Sequence, residues 1–355
     1  MPNNANDPER LEADINKLIE EELPVDEDPL PAAANVEEAV NRILPDHYTF
    51  DVKDDDLKKP LSSLNILPNK MYGYSGNEDG EFNIVIDNGL VSGLTEKTKW
   101  KHRNEDGIFF DADSQTGIVM DGVGSTMHGE TASSVGIYSA AQLMKKSREK
   151  GTPPLPLKEL PTKMHRAITD FQKNNESYKS ASATCVAARV KENRKVEFVS
   201  AGDSRALLIR GENIVWQNKE DNMKEFLKAR YKLETNEAVE DLTKKYPNLE
   251  LNSVVQCLGM DEFYIDFENA ITSNDKINPH FHTEQAQKGD IVLLCSDGLT
   301  DTIPPEQIAK FINERRNKGM SINRINQELK NEVYNKWLKK EGKTDNLSIL
   351  LIEIK

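Results

Sequence analysis

The chain has 355 residues, of which 37% are hydrophobic and 30% are charged, and its formal net charge is −14. This length permits one large domain or two ordinary ones, with enough apolar side chains for a packed core. The acidic balance argues against nucleic acid and anionic membranes as partners, because both would be repelled.

The sequence contains no apolar run long enough to span a membrane and no secretory signal. Its three cysteines, Cys185, Cys257 and Cys295, are too scattered for a disulfide framework or a zinc site, which predicts buried, reduced thiols. We therefore expect a monomeric protein in a reducing cytoplasm, with neither nucleic acid nor membrane as a partner.

The first 74 residues differ in character from the rest of the chain. Apolar side chains at helical spacing over 11–19 predict one amphipathic helix, and Pro24, Pro29 and Pro31 then interrupt a run of acidic residues. We interpret residues 1–74 as an acidic, partly helical N-terminal extension and residues 75–355 as the folded domain. Docking, autoinhibition and no role at all are open alternatives for the extension.

Short apolar runs and amphipathic stretches alternate through the folded domain. The apolar runs predict strands over 108–110, 118–120, 184–190, 196–199, 206–210, 214–216, 291–295 and 347–354. Helical spacing predicts helices over 130–150, from about 164 to 174, and after Pro305 and Ser321. Two groups of strands with helix pairs between them indicate an α+β domain, a central β-sandwich flanked by helices. The charged segment 221–249 interrupts this pattern, and we interpret it as a surface flap.

Acidic residues recur at the ends of these strands or in tight turns. One Asp-Gly pair is an ordinary turn. Repetition at strand ends is more informative, because a buried carboxylate is costly unless a cation or a hydrogen-bond donor meets it. Oxygen donors without a set of His or Cys residues favour Mg²⁺ or Mn²⁺ over zinc. The acidic residues are Glu105, Asp106, Asp121, Asp203, Asp297 and Asp345.

The order of these acidic sites resembles the motifs of one family. In chain order the motifs are RNED at 103–106, DGVG at 121–124, GETAS at 129–133, AT at 183–184, GDSR at 202–205, SDGLTD at 296–301 and DNLS at 345–348. They resemble the motifs of the PPM family, the protein phosphatase 2C type, and are most similar to those of its bacterial members. The resemblance extends from about residue 75 to the C-terminus. It implies a four-layer α-β-β-α sandwich, in which two antiparallel sheets are flanked by helix pairs.

The resemblance also implies a function and a set of metal ligands. PPM enzymes hydrolyse phosphoserine and phosphothreonine on proteins with a metal-activated water and no covalent intermediate. They use two Mn²⁺ or Mg²⁺ ions, with a weaker third in many members. The implied substrates are phosphorylated proteins, and the implied opposing partner is a Ser/Thr kinase. By position, Asp121 bridges both ions, Asp297 and Asp345 bind the first, Glu105, Asp106 and the Gly122 carbonyl surround the second, and Asp203 binds the third.

Two positions depart from the family pattern. The family has an Arg four residues before the Glu of the first motif, where it binds the substrate phosphate. Here that position is Lys101, a compact cation without the bidentate fork of Arg. Arg103 shares the face of Lys101 if the backbone is extended, so either cation is a candidate for this role. Ser125 stands where bacterial members have Gly. These departures leave a second hypothesis open, a catalytically weak PPM-fold protein that binds phosphoproteins or regulates other proteins.

Overall fold

A computed structural model of the protein describes residues 70–76, 78–87, 89–123, 128–231, 250–260 and 277–355, with Thr235, Val239, Asp241 and Lys244 as single positions. Ser125, nearly all of the predicted extension and most of 232–249 lie outside the described residues. Within the described residues, every helix is too short or too polar to cross a membrane.

The described chain contains two antiparallel sheets of six strands each. In spatial order, the first sheet is β1 (Met71–Tyr74), β4 (Asp106–Asp111), β5 (Thr116–Asp121), β6 (Cys185–Val190), β7 (Lys195–Ala201) and β10 (His280–Gln285). The second sheet is β2 (Gly80–Ile86), β3 (Gly89–Glu96), β12 (Leu347–Ile354), β11 (Ile291–Cys295), β8 (Arg205–Arg210) and β9 (Asn213–Gln217). All the strands predicted from apolar runs are therefore confirmed.

Two pairs of helices cover the outer faces of the sheets. Within the described residues the helices are α1 (Gly129–Glu149), α2 (Leu160–Asn174), α3 (Met223–Tyr231), α4 (Asp297–Thr300), α5 (Pro305–Asn317) and α6 (Ile322–Leu338). The first pair, α1 and α2, packs on the first sheet, and the pair α5 and α6 packs on the second. The four-layer α-β-β-α order is thus confirmed.

Alternating side chains along the strands hold these layers together. In β4, the side chains of Ile108 and Phe110 point to the opposite sheet, whereas Phe109 points to the helices, and all three are fully buried. The strands β4, β6 and β11 are buried along their whole length because each is covered on both faces. This explains why β11 is a continuous apolar run and why the centres of β4 and β6 are apolar on both faces rather than alternating.

Three details differ from the sequence-based predictions. The segment Met71–Tyr74, assigned to the extension, forms β1 and pairs with β4, so the folded domain begins before residue 75. Ser321 occupies the N-cap position of α6, but its hydroxyl contacts the Asn323 side chain at 2.5 Å instead of a backbone N–H group. Asp221, assigned to the surface flap, is fully buried and accepts hydrogen bonds from Gly202 N–H and Gln256 Nε2, each at 2.9 Å.

Candidate active site

The predicted acidic residues lie at neighbouring strand ends. Asp106 begins β4 and stands directly opposite Asp121, the last residue of β5. In the second sheet, Cys295 at the end of β11 pairs with Arg205 of β8 and Ile349 of β12. Three acidic residues stand just outside these strand ends and therefore lie at the same end of the second sheet. They are Asp203, Asp297 and Asp345.

Asp106 is the most deeply buried member of the cluster, with no exposed surface. Its Oδ2 accepts a hydrogen bond from Ser296 Oγ at 2.8 Å, and Ser296 Oγ in turn accepts one from Ser348 N–H at 3.0 Å. Its Oδ1 has no hydrogen-bond partner among the described residues. Burial raises the pKa of Asp106 to about 7, although the nearby hydroxyl groups of Ser348 and Ser296 act in the opposite direction.

The carboxylates also raise one another's pKa. Loss of hydration, and then the charges of neighbours that include Asp106 and Asp297, hold the pKa of Asp121 well above its ordinary range. The pKa of Asp203 is raised well above that range for the same reasons, with Asp297 as the leading charged neighbour. Asp297 has a raised pKa too, from burial and then from the charge of Asp345. Such a cluster stores mutual repulsion that a cation would relieve.

Backbone contacts fix Asp121 and the residue after it. The Asp121 N–H donates to Thr184 Oγ1 at 3.1 Å, and the Thr184 N–H donates to the Asp121 carbonyl at 2.7 Å. Gly122 N–H donates to the Glu105 carbonyl at 3.0 Å. A Cβ on Gly122 would lie 2.4 Å from the carbonyl atoms of Gly129 at the start of α1, so only glycine fits there.

Two lysine ammonium groups reach into the cluster. Lys101 Nζ lies 2.5 Å from Asp345 Oδ1 and 3.6 Å from Glu105 Oε2. Burial lowers the pKa of Lys101, but the Asp345 hydrogen bond and the nearby carboxylate charges outweigh burial and leave the pKa above its ordinary value. Lys343 Nζ lies 3.6 Å from Asp297 Oδ2 and 3.5 Å from Asp345 Oδ2.

Arg103 points elsewhere. Its Nη1 lies 2.5 Å from Glu130 Oε1 in the first turn of α1. The backbone bends at residues 102 and 103, and Lys101 contacts Asp345 whereas Arg103 contacts Glu130, so the two side chains do not share a face. Either cation was a candidate for the phosphate only if both shared one face of an extended backbone, and they do not.

The donor chemistry of the cluster fits a hard divalent cation. Two of its carboxylate oxygens, Asp106 Oδ1 and Asp297 Oδ1, are buried without a hydrogen-bond partner in the described parts of the chain. Oxygens of this kind are what Mg²⁺ and Mn²⁺ require. However, no group of three or more His, Cys, Asp or Glu side chains within the described residues is arranged to hold an ion. Asp345 and Asp297 are turned instead towards the two lysines.

Comparison with known proteins decides the family. The sequence model of the protein phosphatase 2C family matches residues 96–340, more than half of the chain. This chain belongs to the protein phosphatase 2C family. Similar proteins include the serine/threonine phosphatase stp of Listeria monocytogenes serotype 4b and that of Listeria innocua serovar 6a. Each is 24% identical over 268 residues, which cover 73% of this chain and 93% of the relative.

Solved structures share the phosphatase 2C fold. The serine/threonine phosphatase Stp1 from Staphylococcus aureus has a TM-score of 0.57 and 21% identity, covering 78% of this chain and 98% of the other. The serine/threonine phosphatase PstP/Ppp from Mycobacterium tuberculosis has a TM-score of 0.54 and 20% identity, covering 75% and 98%. Both likenesses confirm the predicted fold.

This phosphatase 2C family member has site residues that sequence reasoning missed. Asn346 is almost fully buried; its Oδ1 accepts from Glu105 N–H at 3.0 Å and its Nδ2 donates to the Arg103 carbonyl at 2.9 Å. It therefore ties the first motif to the last. Lys343 was also missed, although it stands only two residues before Asp345. Asp301, the last residue of the motif at 296–301, lies in the turn after α4, where its N–H donates to the Asp297 carbonyl at 2.7 Å. Its charge also contributes to the raised pKa of Asp203.

Proposed function

We propose that this phosphatase 2C family member hydrolyses phosphoserine and phosphothreonine on proteins and that it depends on Mg²⁺ or Mn²⁺. The observation that carries the proposal is the cluster of carboxylates at one edge of the sandwich, whose pKa values are raised by burial and by mutual repulsion. The names of the Listeria relatives, serine/threonine phosphatases, support the substrate class.

The proposed ligands divide between two principal ions and a weaker third. When bound, a pair of such ions activates a water and neutralises charge on the phosphoryl group. The fixed backbone of Asp121 and the absence of a side chain at Gly122 support their assignment, because both hold the central carboxylate and the neighbouring carbonyl in place. We assign Asp121 to both ions, Asp297 and Asp345 to the first, Glu105, Asp106 and the Gly122 carbonyl to the surroundings of the second, and Asp203 to the third.

Lys101 is the cation that we assign to the substrate phosphate. Its ammonium group touches Asp345 and Glu105 at the edge of the cluster, so a short movement of a flexible side chain brings it to a phosphoryl oxygen. There it stabilises negative charge that develops in the transition state. Arg103 is paired with Glu130, so its part in this proposal is to hold the first-motif loop against α1.

The nucleophile in this proposal is water. Hydrolysis through a covalent thiophosphate would need an accessible thiolate. All three cysteines are fully buried, and burial raises the pKa of Cys185 and Cys257 to about 12 and raises that of Cys295 as well. None of these thiols is therefore suited to attack a phosphate.

The test is turnover of p-nitrophenyl phosphate by the full-length protein after removal of metals with EDTA. We expect turnover to return with Mn²⁺ in the wild type and to be lost in Asp121→Asn. Asp113→Asn is the matched control, because Asp113 lies on the hairpin at the other end of β4, where it pairs with Lys70. Metal binding without turnover in the wild type would favour the binding-only hypothesis instead.

A further inference from the structure

A strongly basic segment stands beside the proposed active site of this acidic protein. Five of the seven residues in 97–103 are Lys, Arg or His. A second cluster of lysines follows α6, at Lys339, Lys340 and Lys343. We use the name basic rim for the four outer lysines, which are Lys97, Lys99, Lys339 and Lys340.

The fold brings the two parts of the basic rim together. Glu96, at the end of β3, pairs with Leu347 at the start of β12, so Lys97 lies next to the segment that carries Asp345. The Trp100 ring packs edge-on against Trp337 in the last turn of α6, with 5.8 Å between ring centroids. This contact brings 97–103 beside the residues that follow α6. One lysine beside each part also contacts Asp345: Lys101 in the segment 97–103 and Lys343 after α6.

The basic rim carries charge that the protein does not neutralise. All four of its lysines are exposed, and none has an acidic partner among the described residues. Lys99 Nζ stands 4.5 Å from the centroid of the Trp100 ring, which leaves its charge intact. The nearest acids already have other partners. Glu96 pairs with Lys330, Glu341 with Lys336, and Asp79 accepts from the backbone N–H of Lys97.

The positive charge of the basic rim differs from the charge balance of the rest of the chain. Residues 70–355 contain 43 acidic and 40 basic side chains, so the folded domain as a whole is nearly balanced. Residues 1–69 contain 17 acidic and 6 basic side chains and account for most of the net charge of −14. Unpaired lysines concentrated beside one site offer ion-pair partners to an anionic residue that reaches that site.

We propose that the basic rim binds acidic side chains that flank the phosphorylated residue of the substrate. The preferred substrates are then phosphoproteins with Asp or Glu residues close to the phosphoserine or phosphothreonine. This inference rests on the proposed function, because it assigns a substrate class to the same site. A phosphate held near Lys101 leaves residues a few positions away within reach of the rim, since an extended peptide advances about 3.3 Å per residue.

The test uses three phosphothreonine peptides of one length whose flanking residues are acidic, amide or basic. With Mn²⁺ and low salt, we expect the full-length protein to favour the acidic over the amide peptide roughly three- to tenfold in kcat/KM, mainly through KM, because several exposed ion pairs contribute. The preference should shrink at high salt, since exposed charges are screened. The variant combines Lys97→Gln, Lys339→Gln and Lys340→Gln, and we expect its ratio to approach one.

A matched control removes the same charge elsewhere. Lys158, Lys288 and Lys318 are exposed, and Gly289, next to Lys288, bonds to Ile354 at the end of β12 remote from Leu347. Their Lys→Gln triple variant should keep the acidic preference, and all forms should turn over p-nitrophenyl phosphate alike.

Three outcomes would overturn the inference. Equal rates for the acidic and amide peptides in the wild type contradict it directly. An undiminished preference in the rim variant would place the acidic subsite elsewhere. Faster p-nitrophenyl phosphate turnover in the rim variant, with an unchanged peptide ratio, would indicate that acidic residues of this chain occupy the rim. Absence of metal-dependent turnover in the wild type is distinguishable from all three, because it refutes the proposed function itself.

Discussion

Replacing the carboxyl of Asp106 by an amide should stabilise the metal-free protein at neutral and basic pH. Asp106 has no exposed surface, and burial raises its pKa to about 7. In the unfolded chain this carboxyl ionises near pH 4, as aspartates ordinarily do. Between these two values the unfolded state binds fewer protons than the folded state, so the free energy of unfolding falls as pH rises. An amide at this position has no proton to lose.

The size of the effect follows from the two pKa values. Between pH 5 and pH 8, Asp106 should remove about 3 kcal/mol of unfolding free energy from the wild type, since one pKa unit corresponds to about 1.4 kcal/mol. Asp106→Asn lacks this loss and retains an acceptor for Ser296 Oγ. Added Mg²⁺ stabilises the wild type by mass action, about 2.7 kcal/mol at one hundred times the dissociation constant. The variant should gain less from the metal.

The assay is urea unfolding followed by the fluorescence of Trp100, Trp216 and Trp337, at pH 5 to 8, with EDTA and then with Mg²⁺. Asp241→Asn is the control, because Asp241 has 68% of its side chain exposed and its profile should follow the wild type. Parallel pH profiles for the wild type and Asp106→Asn would show that the Asp106 carboxyl does not lower the free energy of unfolding as pH rises. An equal gain from Mg²⁺ in both would show that this carboxyl does not contribute to metal binding.

Three further substitutions test other parts of the structure. Asn346→Ala removes the hydrogen bonds to Glu105 N–H and the Arg103 carbonyl and should lower the urea-derived free energy of unfolding by about 2–3 kcal/mol. Asn331→Ala, on the exposed side of α6, should leave it unchanged. Equal losses in the two variants would contradict the role of Asn346 in linking the first motif to the last. Gly122→Ala places a Cβ against the Gly129 backbone and should displace the start of α1. We expect a destabilisation of about 1–3 kcal/mol and a weaker affinity for Mn²⁺ by calorimetry. Unchanged affinity and stability would show that the loop adapts. Asp221→Ala leaves the Gly202 N–H without its acceptor and removes one of the two acceptors of Gln256 Nε2, which keeps the Asn278 carbonyl, and should cost at least about 2 kcal/mol in the same urea assay. A loss below that of Asp241→Ala would mean that these bonds are not needed.

The parts of the fold that sequence reasoning recovered are those with a strong local pattern. Ile291–Cys295 is a continuous apolar run, and it is buried on both faces as that pattern predicts. Two strands at the start of the domain, β2 and β3, were missed. In β3 small residues such as Ser92 and Gly93 weaken the apolar pattern, whereas β2 does carry alternating apolar residues at Phe82, Ile84 and Ile86. Gly93, for example, lies under the Phe82 ring, where a Cβ would approach within 2.5 Å. The need for glycine at this position comes from a side chain on the neighbouring strand, which the local sequence does not show.

The clustering of acidic residues was predictable where a motif carried them and not where a distant partner defines the position. Asp106 and Asp121 were predicted to lie together because each stands at the end of an apolar strand, and they do stand opposite each other. Their role as metal ligands stays a prediction. Asp221 lies in a charged stretch that indicates an exposed surface, yet it is buried because donors at Gly202, Gln256 and His280 converge on it. A single sequence does not show such long-range convergence.

Removal of phosphate from Ser and Thr side chains by this protein should depend on a bound divalent cation. The most direct measurement is phosphate release from matched phosphoserine, phosphothreonine and phosphotyrosine peptides by the EDTA-treated full-length protein, with and without Mn²⁺, beside Asp121→Asn. We predict release from the first two peptides only when Mn²⁺ is present and only in the wild type. Release that needs no metal, or no release although calorimetry shows Mn²⁺ bound, would contradict the claim.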